Sequence, residues 1–71
     1  MNEKEQQKEN LLKAYCLLNK AYLTLSDDEA LAAQSIAKKI DAVQDDLTLL
    51  LKYYGVTGKQ IDAAVSKNGL Y

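Results

Sequence analysis

From Leu11 to Tyr54 apolar residues return every three or four positions, interrupted once at Ser26-Asp27-Asp28-Glu29, and the chain contains no proline. That period is helical, and nothing in it breaks a helix by ring geometry. Leu11, Tyr15, Leu18, Tyr22 and Leu25 form a heptad seam and predict a first helix over about 4–25, with the charged residues 1–5 fraying. Ala33, Ile36, Ala37, Ile40, Val43, Leu47, Leu50 and Tyr54 continue the spacing and predict a second helix over about 27–54, roughly 40 Å long. Ser26-Asp27-Asp28-Glu29 reads as its capping box: the Ser26 oxygen accepts from the Glu29 amide, and Glu29 reaches back to the Ser26 amide. The three acids also suit the positive end of the helix dipole.

Gly55 stands where a left-handed residue ends a helix, with Val56 placed to touch Leu51 in a Schellman motif. Thr57-Gly58-Lys59-Gln60 is a second capping box. Ile61, Ala64 and Val65 follow on one face and predict a short third helix over about 58–67. Asn68-Gly69-Leu70 repeats the ending, with Leu70 placed to contact Val65. The expected fold is all-α and a single domain over 1–71: an antiparallel hairpin of two long helices, a short C-terminal helix folded back on it, and a bundle completed by dimerisation.

Size explains the last expectation. A 71-residue chain buries only about 60% of its unfolded surface, and folds this small lean on disulfides, a metal or a partner. Cys16 is the only cysteine and there is no histidine, which excludes a disulfide within the chain and leaves too few ligands for a structural zinc. With 48% apolar and 27% charged residues the chain is globular rather than disordered. The helices also carry more apolar surface than one partner helix covers. Leu12, Cys16 and Leu23 lie beside the first seam, with Leu17 on a further side, and Leu49, Leu50, Leu51 and Tyr53 point around the second helix. Surplus of this kind marks association surfaces. Leu12, Leu17, Leu23, Leu49 and Tyr53 are the expected anchors of a protein–protein interface, with the chain itself or another protein as partner.

Catalysis finds little to work with. No histidine is present as a base and no arginine as an anion clamp, and Cys16 sits among leucines, where a thiol behaves as a small hydrophobe. Asp41, Asp45 and Asp46 read as a solvated face balanced by Lys38, and Gly55 to Gly58 lacks the order of a phosphate loop. No enzyme, cofactor or small-molecule substrate is expected. A net charge of −1 and a pI near 5.2 supply no field for nucleic acid or anionic membrane. No apolar run approaches a membrane span, and the polar first ten residues hold no signal peptide. The expected compartment is the cytoplasm, where a lone thiol stays reduced. Lysine without arginine is what an AT-rich bacterial, plasmid or phage genome encodes.

Residues 50–64, Leu-Leu-Lys-Tyr-Tyr-Gly-Val-Thr-Gly-Lys-Gln-Ile-Asp-Ala-Ala, partly resemble a helix-turn-helix, with Gly55 at the turn and Ile61 at a buried position of the second helix. The resemblance implies a dimeric DNA-binding regulator whose third helix presents Lys59, Gln60, Ser66 and Lys67, and this is the alternative reading. Leu51 is bulkier than the motif wants, and Asp62 would repel phosphate. The size, hairpin layout and acidic turn resemble the Rop-type RNA-binding dimer without a shared motif. The hairpin phosphatases of sporulation regulators place a serine and a glutamine before a leucine–aspartate pair. Ala37 and Lys38 stand there before Ile40-Asp41, so that activity is not expected.

Overall fold

The computed structural model describes residues 3–68, and these form three helices: α1 (Glu3–Ser26), α2 (Leu31–Tyr53) and α3 (Gly58–Asn68). α1 and α2 pack along their length as an antiparallel hairpin, and α3 folds back against α1. Residues 3–5, expected to fray, already belong to α1. Gly69 and Leu70, the expected second Schellman ending, lie outside the described residues.

The turn between the long helices differs from expectation. α2 begins at Leu31, not near Asp27, and Ala30 occupies its cap position without a side-chain hydrogen bond. Ser26 is the last residue of α1, and its hydroxyl donates back to the Leu23 carbonyl at 3.2 Å. Asp28 organises the reversal instead. Its Oδ1 accepts from the Ala30 N–H at 2.9 Å, and its carbonyl accepts from Gln34 Nε2 at 3.2 Å. The reason is geometric: a helix starting straight after Ser26 would leave no chain to reverse direction, and antiparallel neighbours need two to five residues. Residues 27–30 supply them, so Ser26-Asp27-Asp28-Glu29 is a turn rather than a cap.

The other junction forms as the residues dictate. Gly55 has φ +88°, its N–H donates to the Lys52 carbonyl at 3.0 Å, and the Val56 N–H donates to the Leu51 carbonyl at 2.9 Å. These are the two bonds of a Schellman motif. Immediately after it the Thr57 N–H donates to Gln60 Oε1 at 2.8 Å, and the Gln60 N–H donates to Thr57 Oγ1 at 3.2 Å, closing the capping box that starts α3.

The core sits at this corner. Leu51 is fully buried, Val56 and Ile61 nearly so, and Leu11, Leu12 and Tyr15 of α1 pack against them. Burying a side chain the size of Leu51 contributes about 1.5–3 kcal/mol. Along the rest of the hairpin the seam is thinner. Leu11, Tyr15, Leu18, Tyr22 and Leu25 are all half-buried, as their heptad spacing requires, but no residue of α1 is fully buried. On α2 the buried line is Ala37, Gln44 and Leu51, flanked by the half-buried Ala33, Ile40 and Leu47 of the expected stripe, whereas Ile36, Val43 and Leu50 of that stripe, each one position before the buried line, are exposed. Gln44 is accommodated there because its Nε2 donates to Asn19 Oδ1 at 3.3 Å.

Candidate protein-protein interface

Two cross-helix hydrogen bonds fix how the faces of the hairpin are composed. Asn19–Gln44 sets the middle, and the Tyr54 hydroxyl donating to Gln7 Oε1 at 3.1 Å sets the open end. With that register the buried line of α2 points at α1, and Ile36, Val43 and Leu50, each one residue earlier, fall along one edge of it. They are 48%, 47% and 42% exposed. Their spacing of seven keeps them on a single stripe of α2.

The matching edge of α1 is found through the open end. Gln7, Asn10 and Leu11 line one shallow hollow with Leu50 and Tyr54, so Asn10 lies beside the Leu50 stripe. Leu17 and Thr24 follow Asn10 at intervals of seven and continue its line along α1. Leu17, 63% exposed, lines a second hollow with Lys20, Ala21, Thr24 and Leu25. Leu17, Ile36, Val43 and Leu50 therefore share one face of the hairpin, with Ala21 and the half-buried Leu25 between them. That face is open. α3 covers the opposite flank, where Leu12 leaves α1 about 140° around the helix from Leu17.

The five expected anchors do not gather into one site. Leu17 alone lies on this strip. Leu12 is half-buried against the Leu51–Val56–Ile61 cluster, where α3 folds onto its side of α1. Leu23 is half exposed, about 120° around α1 from Leu17, on the flank of Leu12 but nearer the turn. Leu49 and Tyr53, strongly exposed and four residues apart, share the outer back of α2, and the Tyr53 ring meets Tyr54 edge to face at 5.8 Å. Ile36, Val43 and Leu50 were hidden by their neighbours. At Ile36-Ala37, Val43-Gln44 and Leu50-Leu51 the inward residue directly follows an apolar one, and a count of apolar residues cannot tell which of the pair faces inward. The width of that stripe was the available signal.

The third helix presents Lys59, Ser66 and Lys67 outward, with Asp62 exposed among them. The Gln60 side chain is already engaged in the cap of α3. Among the described residues no group of three or more histidine, cysteine or acidic side chains is placed to hold a metal ion, and no helix is long and apolar enough to cross a membrane. Cys16 is half-buried within α1. Compared with protein-family models, with curated proteins and with solved structures, this chain matches none, so the open strip itself is the ground for a functional reading.

Proposed function

We propose that this chain is a small non-catalytic protein–protein interaction module, a regulator, inhibitor or assembly factor that acts by packing the open face of its helical hairpin against a partner. The observation that carries the reading is the line of Leu17, Ile36, Val43 and Leu50 exposed down one face, away from the flank that α3 covers. Four large aliphatic side chains in one strip form the kind of contiguous apolar patch that marks an interaction surface. The reading places the chain in the cytoplasm of an AT-rich bacterium, or of a host of its plasmids and phages.

The test is a pair of charge insertions. Leu17→Asp and Val43→Asp, both at exposed positions, are expected to keep the helical circular dichroism while weakening assembly about 30-fold or more, as loss of a central anchor does. Leu49→Asp, on the outer back of α2, is expected to change nothing. Assembly is read as solution mass by light scattering and as retention of a host protein by the immobilised chain. If both strip variants match the wild type in both readouts, the reading fails.

A further inference from the structure

We infer that the occupant of the strip is a second copy of this chain, joined by a two-fold axis parallel to the helices, so that α1 of each copy lies antiparallel against α2 of the other. The inference rests on the interaction reading and adds the partner and its orientation. The first support is area. The accessible surface is 5367 Å², whereas a compact monomer of 7.9 kDa exposes about 4,400 Å². The difference, roughly 1,000 Å², is of the size that one partner contributes to a standard interface, about 800 Å².

The second support is charge. The outer rim of the strip carries Lys13 and Lys20 on α1, Asp27 in the turn just past its end, and Lys39 and Asp46 on α2. All five are exposed, and none is in an ion pair among the described residues. The Asn19–Gln44 and Gln7–Tyr54 hydrogen bonds set their heights: Asp46 is level with the gap between Lys13 and Lys20, and Lys39 with the gap between Lys20 and Asp27. A two-fold axis along the helices preserves those heights. It brings Asp46 of one copy between Lys13 and Lys20 of the other, and Lys39 within reach of Asp27. A two-fold axis across the helices would instead set α1 against α1, with Lys13 facing Lys20 twice. Rim charges of this kind contribute little affinity, about 0.2–1 kcal/mol a pair, but they select between orientations that bury similar apolar area.

The apolar side chains fit the same arrangement. Val43 of the second copy comes level with Leu17 and Ala21, and Leu50 with Asn10 and Ala14, where small side chains leave room for an aliphatic knob. Ile36 comes level with Thr24 and Leu25.

Cross-linking separates the orientations. In a Cys16→Ser background, Leu17→Cys chains and Val43→Cys chains are oxidised separately and as a mixture. The expected result is a disulfide-linked pair in the mixture, joining position 17 of one chain to position 43 of the other, with neither variant linking to itself. A Leu17→Cys chain that links to itself overturns the orientation. Asp46→Lys is expected to weaken the dimer about tenfold, and Lys13→Glu with Lys20→Glu in the same chain to restore it. Rescue by Lys39→Glu instead also overturns the orientation. A wild-type chain that stays monomeric from about 1 to 100 μM overturns the second copy. If that monomer retains a host protein that Val43→Asp loses, the interaction reading stands, and if it retains none, both fall.

Discussion

The turn between the long helices and the corner before the third show how single residues decide a chain reversal. Gly55 holds φ +88° with open space around the position a Cβ would take, so Gly55→Ala meets no neighbour and is penalised only by holding an L side chain in the left-handed region. A left-handed non-glycine residue costs about 1–2 kcal/mol. In a domain of this size that lowers the melting temperature by about 4–16 °C, read by thermal circular dichroism. Thr57→Ala removes the Oγ1 that accepts from the Gln60 amide and is expected to cost about 1 kcal/mol. Asp28→Ala, which removes the acceptor for the Ala30 N–H, should destabilise measurably in urea unfolding, whereas Ser26→Ala should stay within about 0.5 kcal/mol. The opposite order would mean that Ser26 caps α2. Gly55-Val56 and Thr57–Gln60 were legible because each motif stands alone between two helices whose period stops on either side. Ser26–Glu29 matched a capping pattern equally well, but a pattern of four residues does not contain the requirement that the chain reverse.

At the scale of the helix, the seam between α1 and α2 was legible on α1 and in part on α2, where Ala33, Ala37, Ile40 and Leu47 are buried or half-buried and Ile36, Val43 and Leu50 are exposed. Leu11, Tyr15, Leu18, Tyr22 and Leu25 are flanked by enough polar residues that one stripe stands out. On α2 the inward line also runs through Gln44, a polar residue that hydropathy alone does not place in a seam. Gln44 and Leu51 therefore test different things. Leu51→Ala opens a cavity in the only fully buried side-chain site among the described residues and is expected to cost about 2–5 kcal/mol. Gln44→Leu conserves volume, and its partner Asn19 is only half-buried, so the change is expected to be within about 1.5 kcal/mol. What it removes is a polar contact that fixes the register of the two helices, in the manner of a buried polar residue in a coiled coil. Urea unfolding with unchanged m-values separates the two. A loss at Gln44→Leu as large as that at Leu51→Ala would mean that the Asn19 hydrogen bond holds the hairpin together.

On the scale of the whole molecule, the hairpin is too thin to bury both sides of its helices. α3 closes one flank at the open end and cannot reach the other, which is why a fold legible from periodicity still left its interface illegible: which flank α3 takes depends on how the Leu51–Val56–Ile61 corner packs against Leu11, Leu12 and Tyr15. The same packing bears on the alternative DNA reading. With Gln60 engaged in its cap and Asp62 exposed beside Lys59, α3 offers few cations, and no duplex binding that weakens steeply with salt is expected at low ionic strength. Association through the open strip carries a further consequence for stability. If two copies complete one bundle, folding and assembly are a single equilibrium, and mass action favours the folded dimer as concentration rises. Each tenfold increase contributes about 1.4 kcal/mol per mole of dimer, which for a unit of this combined size raises the melting temperature by about 3–6 °C. Val43→Asp should abolish that dependence while leaving the Leu51 corner intact, so its melting temperature becomes the same at every concentration. A wild-type melting temperature that is already independent of concentration would show instead that the corner and the hairpin seam alone sustain the fold, and that its open face is not needed for stability.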